Sequence, residues 1–247
     1  MPNSDVSVLA PVVGKLTRRS LLGPVEIDAL LALPHRVMDQ YAASYIVREG
    51  DQAVDCVALL SGFAHRSKTA GDGSRQILSI HLRGDLLDLQ NGLLDRADHS
   101  VQALSAVRVA YIPHRAILDL AAAYPAIARA LWRDTLVDGS IFREWIVNVG
   151  QRNARQRISH LLCELAVRQE AAGLCKPPRY GWPMTQEQIG DATGLTSVHV
   201  NRTLQGMRSD GLLSTDSRSV TITDWSRLQA EGDFNRAYLH EAEPLTP

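Results

Sequence analysis

Between Thr185 and Gln205 the chain carries side chains suited to reading the edges of DNA base pairs. Arg202 can donate two hydrogen bonds to guanine, Asn201 can pair with adenine, and Val198 offers methyl groups to a thymine methyl. At about 100° per residue, Val198, Arg202 and Gln205 share one side of a helix, flanked by Ser197 and Asn201. Val200, Thr203, Leu204 and Met207 fall on the other side, the first three as its inward set. Thr185, Gln186, Thr196 and His199 fall near two helix starts, where N–H groups and polar side chains hold phosphate oxygens. The chemistry is recognition rather than bond making.

The elements that position these groups are written locally. Thr185 followed by Gln188 forms a capping box and opens a helix that Thr193-Gly194-Leu195 breaks after about two turns. Thr196 then caps a second helix. Ile189, Leu195, Val200 and Leu204 are spaced to share one small core, the helix-turn-helix pattern. Downstream, Gly211-Leu212-Leu213 and Ser219-Val220-Thr221-Ile222 flank the polar turn Thr215–Arg218 and predict a β-hairpin wing. Nine Lys/Arg face six Asp/Glu between 151 and 219, so a chain of formal net charge -1 holds a mildly basic half.

The whole chain has 247 residues, 45% hydrophobic and 21% charged, which excludes disordered and fibrous classes. Residues 1–20 read as a mixed, loose N-terminal arm. A short helix follows from Pro24 to Pro34. From Tyr45 to Pro113, short apolar runs alternate with Gly50-Asp51, Ser61-Gly62, Asp72-Gly73 and Gly84-Asp85, the punctuation of an antiparallel sandwich or roll. Pro125 starts a long helix with Ile127, Leu131, Leu136, Ile141, Phe142, Trp145 and Val149 at three-four spacing. That stripe predicts a seam with a second copy of the chain; the alternative is packing on its own sandwich. A second helix carries Ile158, Leu161, Leu162 and Leu165, and Lys176-Pro177-Pro178-Arg179 marks a loop before the last zone.

Three cysteines, Cys56, Cys163 and Cys175, are too few and too scattered for a disulfide framework, and free thiols fit a reducing cytosol. Cys56 and Cys163 sit in apolar runs and read as buried core residues. No apolar run spans a bilayer. Thr17-Arg18-Arg19-Ser20-Leu21-Leu22 resembles a twin-arginine export motif, yet Glu26 and Asp28 follow where an export segment is apolar. A cytoplasmic protein without a membrane partner is expected. No phosphate loop, nucleophile elbow or Gly-x-Gly-x-x-Gly occurs, and His81-Leu82-Arg83 lacks the second histidine of a cupin metal site. The chain is therefore expected not to be an enzyme, a cupin-like metal enzyme being the rival. No catalytic residue, metal ligand or cofactor is predicted.

Several blocks together resemble the Crp–Fnr family of transcription regulators. They are Arg48-Glu49-Gly50-Asp51, Leu60-Ser61-Gly62, Arg83-Gly84-Asp85, Arg152 to Ile158, and Pro183 to Ile189 through Val200-Asn201-Arg202. The resemblance implies an α+β chain with an N-terminal cyclic-nucleotide-binding-like β-roll (21–120), a dimerisation helix (121–150) and a C-terminal winged helix-turn-helix with a short tail (151–247). It implies a homodimer on palindromic double-stranded DNA, with RNA polymerase as a further partner. Members that bind cyclic nucleotides show Gly-Glu and Arg-Ser pairs where this chain has Asp88-Leu89 and His99-Ser100, so a phosphate loses its guanidinium and meets a carboxylate. Three cysteines exclude a four-cysteine iron–sulfur cluster within one chain. His81 and His99 are possible haem ligands or ordinary histidines. Asp88, Gln90, Asn91, His99 and Ser100, with Asp98, form a polar set where the family places its effector. An unknown small effector, or a regulator that senses nothing, both fit. Familiar members also carry Glu at the place of Val198, so a different half-site is expected.

Overall fold

The computed structural model describes residues 7–52, 54–94 and 96–241. They fall into two compact units. The first holds 7–65, 81–138 and Glu241; the second holds 66–80 and 139–240.

The first unit begins with α1 (Ala10–Arg19) and α2 (Pro24–Leu31). Residues 10–19 are thus a helix and not a loose arm. Leu9, Val12, Val13 and Leu16 recur at three-four spacing and are buried, which fixes the helix by packing despite its polar remainder. The paired arginines close this helix, and Arg19 is buried in an ion pair to Asp134 at 2.8 Å. Lys15 Nζ lies 3.0 Å from Asp85 and 2.9 Å from Asp134, all three buried. Burial opposes the ammonium, but Asp134 and Asp85 outweigh it and hold the Lys15 pKa above its usual value.

The strands are β1 (Arg36–Gln40), β2 (Tyr45–Val47), β3 (Asp55–Ser61), β4 (Ala64–Thr69), β5 (Arg75–His81), β6 (Ser100–Ala103) and β7 (Val107–Pro113). They form two sheets, ordered β1-β7-β3 and β2-β6-β4-β5. Alternation along β3 divides the core. Val57 and Leu59 join Ile46, Val101 and Val109 between the sheets. Cys56, Ala58 and Leu60 join Leu9, Leu16, Leu30 and Ile127 under the helices. A 3-10 turn, Leu89–Gly92, lies between β5 and β6.

After β7 comes α3 (His114–Ala123), which stops at extended Tyr124 because a residue before proline disfavours the helical region. The 27-residue α4 (Pro125–Gln151) follows. Its expected stripe has a different destination: Ile127, Leu131, Ile141 and Trp145 are buried in their own units. Of that set Leu136 is exposed, and the other exposed apolar residues are Trp132, Ile146 and Val147. The period was legible and the phase was not, because two faces of the helix are apolar.

The second unit adds α5 (Ala154–Ala171), β8 (Arg179–Gly181), α6 (Gln186–Thr193), α7 (Ser197–Ser209), β9 (Leu213–Asp216), β10 (Ser219–Ile222) and α8 (Trp225–Glu231). Its sheet is ordered β8-β10-β9, antiparallel throughout, so the expected hairpin gains a third strand. Lys176–Pro178 is the turn leading into it. Ile158, Leu165, Ile189, Val200, Met207, Leu212 and Leu228 are buried within this unit. No described helix is long and apolar enough to cross a membrane.

Candidate nucleic-acid interface

Two caps set the start of each helix. Thr185 accepts from the Gln188 N–H at 3.2 Å, and Gln188 returns the contact by accepting from the Thr185 N–H at 2.9 Å. Thr196 accepts from the His199 N–H at 3.3 Å. Between them Gly194 takes φ 66° and ψ 39°, the left-handed conformation that costs a glycine nothing. Gly190 serves a different purpose. A Cβ there would lie 2.4 Å from the Leu195 carbonyl oxygen, so only glycine lets the turn fold back onto α6.

The faces of α7 follow. Val200, Leu204 and Met207 are buried, and Thr203 is half-buried. Ser197, Val198, Arg202 and Gln205 are exposed; His199 and Asn201 are half-buried. Val198 is 77% exposed, an unusual position for a β-branched apolar residue without a partner. Among the described residues the Arg202 guanidinium makes no hydrogen bond or ion pair. It borders an open groove of about 430 Å³ lined also by Asn153, Arg155, His199 and Thr203. Thr185, Gln186 and Thr196 are exposed at the helix starts.

Most other basic residues of this half are committed to the protein itself. Arg155 pairs with Glu231 and Asp210, each at 2.7 Å. Arg152 pairs with Glu144 at 2.7 Å, and Arg168 with Glu164 at 3.1 Å. Arg179 braces the wing, reaching Asp216 at 2.9 Å and Ser219 at 3.0 Å. At the wing tip Ser217 and Arg218 are exposed.

Two positioning groups were not singled out from the sequence. Arg157 donates to the Thr193 carbonyl at 2.9 Å and to the Arg152 carbonyl at 2.7 Å, clamping the end of α6. Arg75, in the 66–80 segment, pairs with Asp191 of α6 at 2.7 Å. The run of arginines at 152–157 was a visible signal for the first. No sequence signal pointed to the second.

Of the polar set expected to hold an effector, Asp88, His99 and Ser100 have local partners. Asp88 is buried, and its Oδ1 accepts from the Val57 N–H at 2.9 Å. Ligand atoms of Asp88, Cys56 and His114 lie within 4.8 Å of one another, all three residues buried. Burial, reinforced by the Asp88 carboxylate, pushes the Cys56 thiol well above its usual pKa. Asn91 is buried and Gln90 half-buried in the 3-10 turn. His99 is buried with its ring Nδ1 2.6 Å from Asp98, and Ser100 accepts from the Glu49 N–H at 3.0 Å. His81 pairs with Asp85 at 3.5 Å.

Comparison with known proteins gives a consistent picture. A model of a Crp-like helix-turn-helix domain matches residues 156–231, and a cyclic nucleotide-binding domain model matches 41–124. The nitrogen fixation regulation protein FixK of Azorhizobium caulinodans is 28% identical over 208 residues, 83% of this chain and 82% of that protein. The transcriptional activator protein FnrL of Cereibacter sphaeroides is 26% identical over 194 residues, 77% of each chain. The structure of FixK2 from Bradyrhizobium japonicum superposes with a TM-score of 0.73 at 24% identity, covering 80% of this chain and 97% of that one. The shared element order is that of a β-roll, a long helix and a winged helix-turn-helix.

Proposed function

The chain belongs to the Crp–Fnr family of DNA-binding transcription regulators, and we propose that it acts as a cytoplasmic homodimer on palindromic promoter sites. The observation that carries this reading is the exposed face of α7. Arg202 has no partner there among the described residues, and it lies beside Asn201, Gln205 and the solvent-facing Val198.

In this mechanism Arg202 and Asn201 read base edges, while Gln205, Ser197 and Val198 shape the readout. Thr185, Gln186, Thr196 and His199 hold phosphates and fix register without reading sequence. Val198 favours a thymine methyl where a carboxylate would prefer a cytosine amine. The wing tip, with Arg218, adds a phosphate contact. Family membership makes enzymatic activity unexpected.

The second copy packs against the exposed side of α4. Trp132 and Leu136 lie there in its first half, Ile146 and Val147 in its second. A two-fold dimer presents two α7 helices about one DNA turn, ~34 Å, apart. RNA polymerase is the partner through which such a dimer acts on transcription.

The β-roll supports a role in sensing a small polar effector through Asp88, Gln90, Asn91, His99 and Ser100. Asp88 and His99 do not reproduce the usual cyclic-nucleotide pair. A regulator with no such effector is favoured by one observation: Asp88, His99 and Ser100 already have polar partners inside the protein.

Selection of duplexes from a random DNA library, in air and without ligand, tests the reading. Enrichment of a two-fold symmetric site is expected, with half-sites about one turn apart and a steep loss of binding with salt. Failure to enrich any site, both alone and with a cell metabolite extract, overturns it. Enrichment only with the extract separates a sensor from a constitutive regulator.

A further inference from the structure

We propose that Cys56, Asp88 and His114 form a binding site for one divalent transition-metal ion of the zinc and cobalt class. Three elements converge to build it: β3 carries Cys56, the residue before the 3-10 turn is Asp88, and α3 opens with His114. All three side chains are buried, and one ligand atom from each lies within 4.8 Å of the other two. Tetrahedral zinc, with bonds of about 2.3 Å to sulfur and about 2.0 Å to nitrogen or oxygen, separates its ligand atoms by roughly 3.3–3.5 Å. The 4.8 Å bound is wider than this, so metal binding requires the three side chains to draw together.

The backbone holds each ligand in place. The Val57 N–H, next to Cys56, donates to Asp88 Oδ1 at 2.9 Å. The His114 N–H donates to the carbonyl of Val54, the residue before the strand that carries Cys56, at 3.0 Å. Cys56 stands opposite Ile112 in the β3–β7 ladder, which brings the start of α3 beside it. The imidazole rests against the 3-10 turn, where a Cβ at Gly92 would come 3.0 Å from His114 Cδ2. A side chain at 92 would press on the ring.

A second feature of the same turn supports the site. The Asn91 N–H bonds the Asp88 carbonyl at 2.9 Å, one 3-10 turn on. The Asn91 amide is buried, and among the described residues neither its oxygen nor its nitrogen has a hydrogen-bond partner. Native proteins rarely leave both ends of a buried amide unsatisfied. Three protein ligands leave a tetrahedral ion one open position for a water, and bound water commonly satisfies buried amides that lack a protein partner.

The donor set selects the class of ion. One sulfur, one imidazole nitrogen and one carboxylate oxygen suit zinc or cobalt(II). Calcium takes six to eight oxygens and magnesium an octahedron of them, so neither fits. On binding, the thiol gives up its proton to solvent and the thiolate sulfur bonds the metal. The three residues are remote in sequence and follow no ligand spacing, which is why the sequence predicts no metal. The inference stands independently of the DNA-binding reading.

Cobalt(II) titration of the chelator-treated full-length protein tests it. A thiolate-to-cobalt charge-transfer band is expected to saturate at one equivalent per chain and to disappear on adding zinc. Cys56→Ser abolishes the band although Cys163 and Cys175 remain, and Cys175→Ser keeps it. Asp88→Asn weakens binding at least about tenfold. X-ray absorption on the zinc-loaded wild-type protein, needing no variant, should show one sulfur among nitrogen and oxygen neighbours. No saturable band in the wild type, a band that survives in Cys56→Ser, or a zinc shell without sulfur overturns the proposal.

Discussion

The two units contain cations that are used in opposite ways. In the first, Lys15 and Arg19 are buried against Asp85 and Asp134, so their charge is consumed in holding α1 to the start of β6's preceding loop and to α4. In the second, Arg202 is exposed on α7 and has no partner among the described residues. Cations turned inward contribute stability, whereas a cation left outward is available to another molecule. The location of a charge within each unit, rather than the count of charges, separates scaffold from interface.

The sharpest test of that contrast removes the inward cation. Lys15→Met leaves Asp85 and much of Asp134 without their ammonium, and breaking a buried pair costs about 3–5 kcal/mol. Chemical denaturation should show that loss, while the affinity of the protein that remains folded for its selected DNA site stays within a factor of two or so. A weakening of DNA binding in step with stability would dissolve the distinction.

Gly190→Ala blurs the contrast by design. The new Cβ meets a backbone carbonyl at the helix-turn-helix turn, so α6 and α7 must move apart. Overpacking of this kind costs about 1–3 kcal/mol, and both the thermal midpoint and DNA affinity are expected to fall. Loss of stability with unchanged affinity would mean that the angle between the helices is not what this glycine protects.

Arg202→Ala is the mirror image of the lysine variant. Denaturation midpoints should not move, because among the described residues this guanidinium has no partner. DNA affinity should fall by about 1–3 kcal/mol with relaxed sequence choice at one base pair per half-site. An equal loss over all sequences would reassign Arg202 to a phosphate.

The smallest effect is one of pH and shows that the second unit also has an inward set. His160 bonds Tyr238 at 3.1 Å, and Tyr238 donates to the buried Glu164 at 2.8 Å. Burial lowers the His160 pKa below its usual 6.5, against Glu164 and with help from Arg152. The unfolded chain therefore takes up the proton at a higher pH than the folded one. This contribution is complete above 6.5 and declines as pH falls toward the folded-state pKa. His160→Gln should flatten the decline in melting temperature on the acid side of 6.5; an unchanged slope would assign the acid sensitivity to other groups.

What the sequence disclosed follows from the range of the forces involved. The helix-turn-helix was legible to the level of faces because its caps, its glycine turn and its apolar spacing all act within about two dozen residues of chain. The β-roll was legible as punctuation, since glycine and aspartate mark turns whatever the strands later pair with. α1 was missed although Leu9, Val12, Val13 and Leu16 carried the signal, because polar neighbours and Pro11 diluted it. On α4 the choice between two apolar faces depends on what each packs against, which no local pattern states. Cys56, Asp88 and His114 meet only through the β3–β7 ladder and a 3-10 turn, so their proximity is a property of the fold alone.

Of the four tryptophans in the chain, Trp145 and Trp182 are buried, Trp225 is half-buried, and Trp132 on α4 is 68% exposed. Indole emission moves to shorter wavelength as the ring leaves water. Covering Trp132 with a second copy would therefore change the colour of the unlabelled protein's fluorescence, and a simple dilution series would read its self-association by eye of the spectrometer alone.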